Sequence, residues 1–277
     1  MVVNVITRHA PTNYGSLLQA IATQRVIMNL GYECRIINYI PKCETGVRMA
    51  ITQLEQKTKW RRNPIKKAIY LMVAEPETLL MDRKFLAMRK KYLLMGPCCA
   101  TTEELKKLYA EKKDEVFLTG SDQVWGPIST GHYDPTYFLD FVPKSSRKLA
   151  FAASFGKAIF DEQTLKEYGV LLKKYDSLAV RENVAVELLK KMDISAKQVL
   201  DPTLLMDADA WSEYVKPMKK PEKYVLVYQI HANSDLDHYA VKFAEKAELP
   251  LLRVSPLLHQ AKRSGKFVYC PDISGFL

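Results

Sequence analysis

The sequence predicts an α/β chain: a doubly wound, Rossmann-like parallel sheet with an inserted helical segment, followed by part of a second Rossmann-like domain. Three observations predict it. Short β-branched or apolar runs alternate with helical stripes, the segment Val2 to Tyr39 runs strand, loop, helix, strand, and several strands pass directly into loops rich in glycine and hydroxyl side chains. At 277 residues and 48% apolar composition the chain can bury a substantial core, which argues against disorder.

Val2 to Thr7 is the first strand, and the polar turn Arg8 to Tyr14 leads into a stripe at Leu17, Leu18, Ile21, Ala22, Ile27 and Leu30 that marks a helix. Gly31 stands where a left-handed residue closes a helix, and Cys34 to Tyr39 returns as a buried strand. Such a βαβ unit implies a right-handed crossover and parallel pairing. From about Gly46 to Glu111 the pattern becomes helical and basic, punctuated by Pro64, Pro76 and Pro97. Strands resume at Glu115 to Thr119, Lys148 to Ala153, Ser177 to Val180 and Gln198 to Leu200, with helices at about 161 to 174 and 182 to 191 between them.

Lys216 to Glu222, flanked by Pro217 and Pro221, reads as a linker that divides a first domain over 1–216 from a second over 217–277. The second domain holds strands at Tyr224 to Gln229, Pro250 to Val254 and Phe267 to Cys270, a helix from about Asp235 to Ala247, and a new start at Asp272. About three strands without a further helix to cover them make a small sheet, so this domain is expected to be incomplete.

The formal charge of +10 is concentrated: residues 57 to 91 carry eleven Lys or Arg against three acidic residues. A solvated helical face is the plain reading of such a run. Its functional readings are attraction to an anionic membrane surface or an acidic glycan. Nucleic acid is disfavoured because no zinc finger, KH loop or RNP signature accompanies the charge. Cys34, Cys43, Cys98, Cys99 and Cys270 form neither a disulfide framework nor a CxxC zinc spacing, which suits a reducing cytoplasm. No apolar run approaches membrane-spanning length and no targeting signal is read at the N-terminus.

Ligands of open α/β sheets lie at the carboxyl ends of the strands, so the residues just after each strand are the functional candidates. Thr12-Asn13-Tyr14-Gly15-Ser16 enters a helix whose N-terminus favours an anion, or simply caps it. Gly120-Ser121-Asp122-Gln123-Val124-Trp125 can cradle phosphate or bind a sugar; the alternative is a tight turn with Asp122 on its own backbone and Trp125 in the core. Ala153-Ser154-Phe155-Gly156 offers a close backbone approach or mere close packing. Arg181, directly after a strand, presents a planar fork suited to carboxylate or phosphate, or pairs with Glu182. His9, in the first strand-to-helix loop, is placed to move a proton near neutral pH or to serve as a hydrogen-bonded structural residue. The five histidines, His9, His132, His231, His238 and His259, show no metal spacing, so no metal is expected.

Five blocks in order, Asn13-Tyr14-Gly15-Ser16-Leu17-Leu18-Gln19, Gly120 to Trp125, Ala153 to Gly156, Ala179-Val180-Arg181-Glu182 and Val199-Leu200-Asp201-Pro202-Thr203, together resemble the polysaccharide pyruvyl transferase family. The resemblance spans residues 1 to 215 through ordered motifs and the remainder more loosely. It implies a two-domain architecture like that of B-type glycosyltransferases, phosphoenolpyruvate as co-substrate without a further cofactor, and as acceptor a sugar of a cell-surface or capsular glycan, including a lipid-linked precursor. The implied product is a cyclic ketal. Arg181 would clamp the donor anion; Asn13, Gly15, Ser121 and Ser154 would shape the cleft, with Asp122 as base or sugar ligand. The implied setting is cytoplasmic, at the inner face of the membrane, with residues 57–91 as a peripheral contact.

The Ser-Phe-His-Gly or Arg-Leu-His-Gly type motif of the family does not occur in this sequence, which leads to the expectation of a C-terminally shortened member. Two other readings compete: a sugar-nucleotide-dependent glycosyltransferase, since the same fold holds a nucleotide diphosphate, and a non-catalytic module that docks on glycan or membrane through its basic segment.

Overall fold

The structure is a computed structural model and describes residues 1–44, 51, 64–157, 159–229 and 233–277. Contacts group Met1–Leu71 with Arg89–Asp207 in one compact unit, and Met72–Met88 with Ala208–Leu277 in another.

The first unit opens with β1 (Val2–Ile6), α1 (Tyr14–Asn29) and β2 (Glu33–Ile36). Asn13 caps α1, its side-chain oxygen accepting from the Gly15 and Ser16 amides, and Gly31 takes the left-handed conformation expected of it, at φ 85°. A long helix α2 (Pro64–Tyr92) and the shorter α3 (Thr102–Tyr109) follow. Pro76 lies inside α2 rather than ending it. Proline forfeits one backbone bond and crowds the preceding turn, a local cost that the other bonds of a 29-residue helix outweigh.

The stretch after α2 is also not a plain loop. The Ile36 amide donates to the Leu94 carbonyl, Cys99 N to Asn38 O and Ile40 N to Cys99 O, so residues 94–99 run along β2 and cover the sheet edge. Cys99 is buried by this pairing and Cys98 stays exposed.

β3 (Val116–Thr119), β4 (Arg147–Ala153), α4 (Glu162–Leu172), β5 (Ser177–Val180), α5 (Asn183–Lys190) and the two-residue β6 (Lys197–Gln198) complete the sheet. All six strands are parallel in the order β2-β1-β3-β4-β5-β6. The chain leaves β1 toward one edge and returns to build toward the other, so the order reverses between β1 and β3, the kind of switch point beside which open α/β sheets bind ligands at the strands' carboxyl ends.

Beneath the far half of that edge lies an aromatic core. Trp125 is fully buried, stacked on Phe138 at 5.7 Å between ring centroids and packed on Phe155 at 5.1 Å. The Tyr168 hydroxyl donates to the Trp125 carbonyl at 2.5 Å, and Phe155 also packs on Tyr168. Each such ring withdraws apolar surface worth about 2 to 3 kcal/mol, which anchors the loops after β3 and β4. Gly126 makes that anchoring possible: a Cβ there would stand 2.7 Å from the Phe155 carbonyl oxygen.

The second unit contains α6 (Ala208–Ser212), β7 (Val225–Tyr228), α7 (Ser234–Lys246), β8 (Leu251–Ser255), β9 (Lys266–Tyr269) and α8 (Ile273–Phe276). Its three strands are parallel in the order β7-β8-β9. Met72–Met88 of α2 groups with this unit. The Lys84 ammonium lies 4.9 Å from the centre of the Tyr269 ring on β9, and Met81, Phe85 and Met88 are buried.

Candidate active site

Two groups of polar residues gather at the carboxyl edge of the six-stranded sheet. The first straddles the switch point. Ser16 Oγ, in the first turn of α1, donates to Asp122 Oδ2 at 2.7 Å, and Asp122 Oδ1 accepts from the Gln123 amide at 2.7 Å. Gln19 Nε2 donates to Thr7 Oγ1 at 2.9 Å and Thr7 Oγ1 to the Ser121 carbonyl at 2.6 Å, so α1, the end of β1 and the end of β3 are tied together. Asp122 has φ 86°, a conformation that a non-glycine residue keeps only when its surroundings hold it there. Its carbonyl accepts from both Val124 N and Ser154 N, which supplies that constraint.

The second group lies after β3, β5 and β6. Ser121 is completely buried, and its hydroxyl donates to Asp201 Oδ2 at 2.7 Å. Arg181 Nη1 donates to the same oxygen at 3.1 Å and its Nε to Glu182 at 2.8 Å. The expected ion pair of Arg181 with Glu182 is present, then, but it uses only part of the guanidinium. β4 lies between β3 and β5, and it is bulged: its pairing with β5 shifts between Ala150 and Ala153, and Ala152 has φ 56°. The bulge delivers Ser154 and Gly156, whose amide donates to Ser154 Oγ at 3.0 Å, to the same edge.

A cleft of about 260 Å³ lies beside this second group, lined by Gln123, Ser154, Phe155, Gly156, Lys157, Arg181, Glu182, Val184 and Ala185. Glu182 stands at the N-cap of α5 but makes no side-chain capping bond, so the start of that helix offers amides and a positive dipole end to the cleft. With Arg181 and Lys157 against Glu182, the cleft is suited to a small anion.

The sequence-predicted residues thus fall into distinct places. Ser121 and Arg181 meet, with Ser154 on the same cleft; Asp122 pairs with Ser16; Asn13 is the cap of α1, where Gly15 lets the cap oxygen lie only 3.2 Å from the position a Cβ would take. His9 is elsewhere. It is 1% exposed, with Nδ1 3.1 Å from the Thr7 carbonyl and Nε2 3.3 Å from Asn38 Oδ1. Burial pushes the imidazole below its ordinary pKa, opposed by those two hydrogen bonds. Neutral and enclosed, it joins the end of β1 to the segment after β2, and no proton-transfer role is assigned to it.

Two residues of the site escaped the sequence reading. Asp201 directly follows a predicted strand, the signal that also marks Arg181, but nothing local in the sequence pairs the two. Lys157 lies just past the Ala153-Ser154-Phe155-Gly156 block, and nothing in the sequence says that it lines the same cleft as Arg181, with its ammonium 4.8 Å from the centre of the Phe160 ring. Among the described residues no group of three or more His, Cys, Asp or Glu stands together as a metal site, and no helix is long and apolar enough to cross a membrane. Within the basic segment 57–91, Arg61 and Arg62 lie outside the described residues, as do the side chains of Lys66 and Lys67, and so does His231.

A parallel sheet with a switch point and charged side chains collected at its carboxyl edge is the arrangement of a ligand-binding α/β protein. The family model for polysaccharide pyruvyl transferase matches residues 13–270, and the chain belongs to that family. No curated protein and no solved structure gives a significant match.

Proposed function

We propose that this protein transfers the pyruvyl group of phosphoenolpyruvate to two hydroxyls of one sugar in a cell-surface glycan. The observation that carries this reading is the cationic cleft of about 260 Å³, where Arg181 and Lys157 stand beside the uncapped start of α5. Its size and charge suit a carboxylate or phosphate on a three-carbon frame.

In the proposed reaction the C3 carbon of the enol takes a proton, a sugar hydroxyl adds to C2, and phosphate departs with the electron pair of its bond to C2. A second hydroxyl of the same sugar adds to C2, giving the ketal; of the two hydroxyl protons lost, one offsets the proton taken by C3 and the other ends on the released phosphate. Arg181 and Lys157 hold the anionic groups and stabilise charge on the departing phosphate. Asp122, oriented by Ser16 and the Gln123 amide, is placed in this reading to bind the sugar or accept a hydroxyl proton. The acceptor would be met at the inner face of the membrane, on a lipid-linked precursor.

Thermal unfolding in the presence of ligands tests the assignment. Phosphoenolpyruvate should raise the midpoint in a saturable way while nucleotide sugars leave it unchanged. A rise with nucleotide sugars and none with phosphoenolpyruvate would replace pyruvyl transfer with glycosyl transfer.

A further inference from the structure

We infer that Asp201 is the positioning residue of the anion clamp: it fixes the plane of the Arg181 guanidinium so that the remaining face of the fork receives an oxygen of the donor. This rests on the donor reading given above. The local chain explains why Asp201 is able to do so. β6 ends at Gln198, and the Val199 amide still donates to the Val180 carbonyl, which carries the chain along the end of β5 before it turns at Pro202–Leu204. Asp201 caps that turn. Its Oδ1 accepts from the Thr203 amide at 3.0 Å and from Thr203 Oγ1 at 2.7 Å, so the carboxylate is oriented by its own backbone.

Oδ2 is then presented to the sheet edge, where it takes Ser121 Oγ at 2.7 Å and Arg181 Nη1 at 3.1 Å. One carboxylate therefore gathers the ends of β3, β5 and β6. It is not among the residues lining the cleft, so it acts through Arg181 and not on a ligand. Burial pushes the Asp201 carboxyl up, but the bonds from Ser121, Thr203 and Arg181 together bring it below the ordinary carboxylate value, and it is ionised at neutral pH.

Arg181 has several rotatable bonds, and a single carboxylate on Nε leaves its plane free to turn. The second bond, on Nη1, removes that freedom. Nη2 carries no hydrogen bond among the described residues, and Arg181 lines the cleft. A guanidinium fixed in this way meets an incoming oxyanion without reorganising, which is how preorganisation raises affinity.

The test is a double-mutant cycle on the full chain, read by calorimetric titration with phosphoenolpyruvate in wild type, D201N, R181K and the double variant. Asparagine keeps the size but turns an amide toward two donors, so D201N should weaken binding about 10-fold to 30-fold. Lysine lacks the fork that Asp201 orients; R181K alone should cost at least as much, and adding D201N to R181K should change affinity by less than about two-fold. A general loss of structure would weaken both backgrounds alike, and that result overturns the inference, as does undiminished binding by D201N alone. Unchanged affinity in R181K overturns the donor reading itself and the inference with it. Should D201N not fold, T203V removes one bond to Asp201 while keeping its charge, and about a three-fold loss that vanishes in R181K carries the same meaning. In nitrogen-15 spectra the Arg181 Nε–H resonance, recognised by its disappearance in R181K, should be sharp in wild type and exchange-broadened in D201N.

Discussion

The two groups of residues along the sheet edge differ in charge and in what holds them. At the switch point, between β1 and β3, the side chains are Ser16, Thr7, Gln19 and Asp122, and the hydrogen bonds among these described residues include no cation. Past β4 the cleft carries Arg181 and Lys157, and its partners are the buried Ser121 hydroxyl and the part-buried Asp201 carboxylate. An edge built in this way separates its tasks: neutral and acidic groups suit sugar hydroxyls, and cations suit a donor with a carboxylate and a phosphate.

The largest effect expected from that division belongs to Arg181. R181A should lower phosphoenolpyruvate affinity about 100-fold, the equivalent of nearly 3 kcal/mol, because it removes a charge-assisted donor and leaves Asp201 without its cation. S16A, on the other side, should leave calorimetric affinity within about two-fold; comparable losses in both variants would dissolve the division. Next comes D122N, which tolerates the positive φ and keeps an acceptor for the Gln123 amide. Donor affinity should hold, while transfer to a glycan acceptor, followed by phosphate release, should fall about 10-fold or more if Asp122 handles the hydroxyl proton.

A smaller effect concerns acid. The Asp201 carboxyl is held below its ordinary value, burial opposing and hydrogen bonds winning, so its contribution to stability is complete above the unfolded-state pKa and is lost as pH falls through the folded one. Wild type should therefore exceed D201N in denaturant midpoint by a constant margin from pH 7 to about 5, and the margin should shrink below about pH 4. The corresponding comparison for S16A should show no such narrowing through Asp201. The smallest effect is at the α1 cap: N13A should cost about 1 kcal/mol in urea unfolding without altering donor affinity.

Much of the sheet was legible from apolar and β-branched runs such as Val2 to Ile6 and Val116 to Thr119, because burial on both faces of a parallel strand leaves a continuous apolar signature. The loops that follow those strands could be named for the same reason. What could not be read was lateral order. Nothing local in Ser121, Arg181 and Asp201 says that their strands stand close enough for one carboxylate to reach both partners, since Asp201 is 80 residues from Ser121. The passage of residues 94–99 along β2, and the grouping of Met72–Met88 with the last three strands, are likewise pairings between distant segments that no periodicity records. For His9 the sequence leaves proton transfer and a hydrogen-bonded structural role both open, and the Asn38 side chain that decides for the second comes from a different segment.

The division of labour along the edge is tested most directly by a crystal soaked with phosphoenolpyruvate. Density for the donor should appear in the cleft lined by Arg181, Lys157 and the start of α5, with an oxyanion on Arg181 Nη2 and the Asp201 bond to Nη1 intact. Donor density at the Ser16–Asp122 pair, with the cationic cleft empty, would contradict it.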